Sequence, residues 1–145
     1  MQISAAGLAL LMRSEGFRSR SYLDIAGFPT IGYGHRLQPP ESFPHGVTEE
    51  QARVLLESDV NCAENAVMRF VTVPLSQGQF DALVDFVFNL GSARLRNSTL
   101  LSELNEGRYD DAGRQLLLWD HAGTEEIAAL KARRQAEYAL WKGDQ

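Results

Sequence analysis

A chain of 145 residues is long enough for one domain that buries roughly two-thirds of its unfolded surface, and at 44% apolar and 23% charged it shows none of the excesses that mark disorder. A net charge of −5 leaves no lysine and arginine surplus to neutralise phosphates, which excludes a general nucleic-acid binder and disfavours anionic membranes. The single cysteine, Cys62, can form no intramolecular disulfide, has no metal-ligand spacing around it, and is expected as a reduced thiol, buried or half-buried on a helix.

Ser4 is placed to cap a first helix, with Ile3 and Leu8 as a hydrophobic staple and Gly16 as its end. Leu8, Leu11, Met12 and Glu15 then share one face. The apolar run from Gly7 to Met12 has no basic flank and is too short for a secretion signal or a membrane span. This predicts no stable membrane insertion and accumulation in the cytoplasm of the producing cell. From Arg20 to His35, short segments around Gly27 and Pro29 predict strands and turns in a small antiparallel sheet.

Residues 36–47, with three prolines and Gly46, read as a loop. Thr48-Glu49-Glu50-Gln51 is a capping box, and Ala52, Leu55, Leu56, Val60 and Ala63 carry helical spacing to about Phe70. A second capping box, Ser76-Gln77-Gly78-Gln79, opens a helix apolar on nearly every side, from Phe80 through Phe88 to Leu90, which Gly91 closes. Shorter helices are expected over Thr99–Asn105, Tyr109–Trp119 and Glu125–Trp141, punctuated by Gly107 and Gly123. The pattern describes a single α+β domain over 1–145. It has a small N-terminal lobe with an antiparallel β-sheet (about 1–60), a larger helical C-terminal lobe (about 61–145) and a ligand cleft between them.

Glu15 is oddly placed for a carboxylate, since on an apolar helix face it loses solvation and tends to keep its proton, as a general acid must. A helix-end glutamate that reaches water or an arginine is the plainer alternative. Asp24 stands where a strand meets the turn Ile25-Ala26-Gly27, where its plain role is an Asx-type cap. Strand alternation places Thr30 on one face with Gly32 and Gly34, leaving an open floor beside a hydroxyl. Two carboxylates and such a floor suit glycoside hydrolysis, in which one acid protonates the leaving oxygen and another group activates water or attacks.

The series Glu15, Asp24, Thr30, set in Glu-Gly-Phe and Tyr-Leu-Asp-Ile-Ala-Gly-Phe-Pro-Thr-Ile-Gly-Tyr-Gly-His, resembles the catalytic signature of the phage-type lysozymes, the endolysins of glycoside hydrolase family 24. Phe88-Asn89-Leu90-Gly91, Ser98-Thr99-Leu100-Leu101, Leu104-Asn105, Trp119 and Arg133-Arg134 with Glu137 follow in the family's order, so the resemblance covers almost the whole chain. It implies a lysozyme-like fold and cleavage of the β-1,4 bond between N-acetylmuramic acid and N-acetylglucosamine. Glu15 would be the acid, while Asp24 and Thr30 would hold the attacking water. It further implies sugar contacts at Phe88, Thr99 and Gln115, and an arginine, Arg133 or Arg134, paired with Glu15. Arg36 follows His35 where related sequences often carry an apolar or small residue.

No cofactor or metal is called for, because His35, His45 and His121 lack ligand spacing, and His35 is expected to support the site through a hydrogen bond. The Lys131-Ala132-Arg133-Arg134 run reads first as a solvated helix face. A phosphate loop at Gly27–Gly32 fails because Tyr33 occupies the lysine position. The expected partner is the peptidoglycan glycan strand, met by a monomer that depends on a holin for release and then acts on the wall in the periplasm. A lytic transglycosylase would need Glu15 without the water-holding pair, and a non-catalytic wall binder would need none of the three.

Overall fold

The computed structural model describes residues 1–122 and 124–143, so Gly123, expected as punctuation, lies outside the described residues. The chain groups into two compact units, one formed by Leu11–Cys62 and the other by Met1–Leu10 with Ala63–Gln145. Helix α1 (Ala5–Glu15) contributes to both. Its start is set by Ser4, whose hydroxyl accepts from Gly7 N at 3.3 Å and whose carbonyl accepts from Leu8 N at 2.9 Å. Gly16 ends it in the left-handed region, at φ 69°.

In the first unit a three-stranded antiparallel sheet follows, β1 (Arg18–Leu23), β2 (Pro29–Gly32) and β3 (His35–Arg36), in that spatial order. Its register sets Tyr22 beside Thr30, and Thr30 in turn beside Arg36. The long connection from β3 returns to the sheet through Val47 N, which donates to Ser19 O at 2.8 Å. Helix α2 (Glu49–Phe70) opens on the expected capping box, with Gln51 N on Thr48 Oγ1 at 3.1 Å and Thr48 N on Gln51 Oε1 at 2.8 Å. Leu11, Ile31, Tyr33, Val47, Ala52, Leu56 and Val60 bury this unit's small core.

The second unit is helical around α3 (Gln77–Leu90), which begins on the Ser76–Gln79 capping box and buries Phe80, Leu83, Val84, Phe86 and Val87. Helices α4 (Ser92–Arg96), α5 (Thr99–Asn105), α6 (Tyr109–Gln115) and α7 (Ala128–Lys142) complete it. Helix α7 packs on α3 where Gly78 leaves room, since a β-carbon there would overlap the Leu140 carbonyl. Leu83, Leu100, Leu104 and Leu116 are wholly buried, sites where truncation to alanine costs about 2–5 kcal/mol.

Several elements differ from the expectation. The segment 109–119 is helical only to Gln115 and tightens into a 3-10 turn over Leu116–Leu118. Residues expected at the start of the last helix instead form a two-residue hairpin strand, β5 (Glu125–Glu126), paired with β4 (His121–Ala122). Helix α7 begins after Ile127, which supplies no side-chain cap. Cys62 is exposed, because Ala63, Ala66 and Val67 take the inward positions of that stretch of α2. Arg133 and Arg134 are buried rather than solvated.

Candidate active site

The hairpin between β1 and β2 is built around Asp24. Its Oδ1 accepts from Ala26 N at 2.9 Å and Phe28 N at 2.8 Å, the Asx turn that the sequence suggests. Backbone bonds close the same loop, Asp24 N to Phe28 O and Gly27 N to Asp24 O, both 2.9 Å. One oxygen of the carboxylate is thus spent on architecture. Oδ2 is not, and it lies 3.4 Å from Arg36 Nε.

Thr30 is almost wholly buried, and its hydroxyl donates to Phe28 O at 2.8 Å. The backbone of Phe28 therefore brackets the pair, its N–H holding Asp24 and its carbonyl holding Thr30. With its proton committed, the threonine oxygen keeps lone pairs to accept a further hydrogen bond. Next to Thr30 in the sheet stands Tyr22, whose hydroxyl is pushed above its ordinary value, first by burial and then by the negative charge of Glu15. Arg18 opposes and Asp24 adds to the rise. Tyr22 thus feels both carboxylates.

Glu15 is half-buried at the end of α1. Its side chain lies against Gly34, where an added β-carbon would stand 2.9 Å from Glu15 Cδ. This revises the glycine floor. Gly32 and Gly34 have φ 68° and 70°, so the chain leaves the strand after Gly32 and the alternation that would align both glycines with Thr30 breaks. Gly32 approaches Ala52 instead, and Gly34 becomes the seat of Glu15.

His35 ties β3 to α2 and to the long loop of this unit. Its Nδ1 is 2.7 Å from Asp59 Oδ2 on α2, and its Nε2 is 2.9 Å from Glu41 Oε1 in the long loop. Carboxylates only accept, so a ring protonated on both nitrogens satisfies both. Burial disfavours that charge, yet the bonds to Asp59 and Glu41 outweigh it and raise His35 above its ordinary value. Burial raises Asp59 as well, against the pull of His35, while a backbone bond from Gln38 and the bond to His35 overcome burial and lower Glu41.

The other expected residues lie in the helical unit. Phe88 is half-buried on α3, Thr99 is the exposed first residue of α5, and Gln115 is the half-buried last residue of α6. Arg133 forms a two-pronged pair with Asp85, Nε to Oδ2 and Nη2 to Oδ1, each 2.9 Å. Arg134 Nη2 donates to Glu137 Oε2 at 2.7 Å. All four side chains are buried, so within the basic run Arg133 and Arg134 turn away from water while Lys131 stays exposed. Burial, then hydrogen bonding to Asp85 and its charge, raises Glu137 well above its ordinary value. Burial works against Asp85 too, but hydrogen bonds from Glu137 and Arg133 hold it low. The two carboxyl groups of the cluster are thus shifted in opposite directions, Glu137 up and Asp85 down.

A model of the phage lysozyme family matches residues 12–137. The chain belongs to the phage lysozyme family. The endolysin of Salmonella phage P22 is similar at 40% identity over 144 residues, 97% of this chain and 98% of that one. The muramidase domain of SpmX from Asticaccaulis excentricus shares the fold with a TM-score of 0.87 at 37% identity, 97% of each chain being covered. A mutant of P22 lysozyme follows with a TM-score of 0.83 at 37% identity, covering 98% of this chain and 99% of that one. The fold is the α+β, lysozyme-like one.

Within this phage-type lysozyme, three features escaped the sequence reading. Tyr22 shares strand parity with Asp24, which could have placed it beside the acid. Phe28 acts through its peptide groups, which no side-chain pattern records. Asp85 meets Arg133 only after folding, from 48 residues away.

Proposed function

We propose that this chain cleaves the β-1,4 bond between N-acetylmuramic acid and N-acetylglucosamine by inverting acid/base hydrolysis, with Glu15, Asp24 and Thr30 as its catalytic residues. The chain is a lysozyme, an endolysin that hydrolyses peptidoglycan in host lysis. The observation that carries the finer reading is the Phe28 bracket, which ties the Asp24 carboxylate and the lone-pair-bearing Thr30 hydroxyl to the backbone of one residue.

Glu15 gives its proton to the glycosidic oxygen as the C–O bond breaks and the electron pair leaves with that oxygen. A water accepted by Thr30 forms the new bond to the anomeric carbon and loses its proton to Asp24. Proton exchange with solvent then resets both acids. A threonine that donates its hydroxyl proton to a backbone carbonyl, which is no base, is a poor nucleophile, which favours water as the attacking group.

Sugar contacts by Phe88, Thr99 and Gln115, and pairing of Arg133 or Arg134 with Glu15, belong to the same proposal. So do action as a monomer and passage from the host cytoplasm to the wall through a holin-made lesion. The Gly7–Met12 run supports that route, because it is spent on α1, with Leu10 and Leu11 buried. Expression without a holin should leave cells intact, and spontaneous lysis on induction would contradict it.

Purified sacculi digested to completion and analysed by mass test the reaction. Reducing muramic acid ends are expected. Products with 1,6-anhydro ends would mean a lytic transglycosylase, and no products a wall binder.

A further inference from the structure

We propose that Arg36 is a positioning residue that fixes the working oxygen of Asp24. The inference rests on the reading of Asp24 as the group that activates water. Oδ1 of Asp24 is held by two backbone N–H groups, so rotation of the carboxylate is limited and Oδ2 is the oxygen left to take a proton. Arg36 Nε stands 3.4 Å from Oδ2, too long for a strong hydrogen bond but close enough to orient it by charge. An exposed pair of this kind contributes little to stability on its own.

The guanidinium makes a second contact on the same hairpin. Its Cζ lies 4.1 Å from the centre of the Phe28 ring, a stack that favours its place beside the residue whose backbone brackets Asp24 and Thr30. The register gives the same answer from the other side, since Arg36 is the cross-strand neighbour of Thr30 on β3. One side chain thus touches the ring of Phe28 and the free oxygen of Asp24 while its backbone lies beside Thr30. Its place at the third strand links the hairpin turn that carries the base to the strand that carries the water-holding hydroxyl. Leu37 N, bonded to Pro29 O at 2.9 Å, anchors the segment immediately after it.

The test is kinetics on soluble glycan strands for Arg36→Ala, Arg36→Lys, Asp24→Asn and the Asp24→Asn/Arg36→Ala double variant, each checked for an unchanged circular dichroism spectrum. Arg36→Ala should lower kcat about tenfold with KM nearly unchanged, a loss of orientation rather than of binding. Arg36→Lys, which retains the charge, should recover part of that loss. In the Asp24→Asn background the arginine substitution should add nothing, because the oxygen it orients is gone.

A raised KM at unchanged kcat would make Arg36 a substrate-binding group and overturn the proposal. An equal further loss in the double variant would overturn it too, since Arg36 would then act other than through Asp24. Wild-type kinetics for Arg36→Ala, beside a large loss in Asp24→Asn, would sink the positioning role and leave the role of Asp24 standing. Full activity in Asp24→Asn would instead remove the reading on which it rests, and the proposal with it.

Discussion

Glu15 fills the space over the α-carbon of Gly34, so that a β-carbon at position 34 would meet Glu15 Cδ at 2.9 Å and crowd its Oε1 more closely still. The end of α1 and the turn after β2 are therefore fitted to each other through a missing side chain. Gly34→Ala should displace the acid and lower kcat at least about tenfold, since misplacement of a catalytic group by an ångström can cost far more. Gly32→Ala is the matched comparison, because it carries the same left-handed strain, about 1–2 kcal/mol, but meets Ala52. Equal activity in two similarly stable variants would show that Gly34 does not seat Glu15. Glu15→Gln sets the floor of the scale, with an expected loss of roughly a hundredfold or more and an intact fold.

The carboxylate pair and its hydroxyl stand within a short stretch whose residue types are informative one by one, and the two capping boxes mark the starts of α2 and α3 as read. What misled was strand alternation, which fails where two glycines at positive φ turn the chain. The β4–β5 hairpin has two exposed residues per strand, too few to show any period. Helix α4, five residues long, has no side-chain cap to announce it. Arg133 and Arg134 look like solvated surface because local sequence cannot show that Asp85, on another helix, neutralises a charge in the interior.

His35 makes stability depend on pH with a definite sign. Its folded value lies above the ordinary 6.5, so its contribution is fully present below pH 6.5 and is lost as pH rises through the folded value. Asp59, held above its ordinary 3.8, works in the same direction, because ionising it in the fold is costly. Glu41 acts oppositely, contributing above 4.5 and losing that contribution as pH falls through its lowered value. Thermal melts between pH 6 and pH 9, a range chosen to span the roughly neutral titration of histidine, should show Tm falling with pH. His35→Asn should flatten that slope. An unchanged slope in the variant would assign the dependence to other groups.

The buried cluster on α3 and α7 shifts its two carboxyl groups in opposite directions, Glu137 up and Asp85 down. Asp85→Asn strips Arg133 of its fork and should cost about 3–5 kcal/mol, the usual penalty for an uncompensated buried charge. Glu137→Gln keeps the shape, an acceptor for Arg134 and a donor for Asp85, and should cost about 1 kcal/mol or less. Urea unfolding of the two variants measures the contrast. A loss for Glu137→Gln as large as that for Asp85→Asn would contradict the upward shift of Glu137.

The proposed hydrolysis turns on water, oriented by Thr30 and activated by Asp24, attacking the anomeric carbon from the face opposite the leaving group. Proton NMR of fresh digests of a β-linked glycan strand, read before mutarotation, records the outcome of that attack. An inverting reaction gives the α-anomer first. A β-anomer as the initial product would make Asp24 a nucleophile and leave Thr30 with no water to hold.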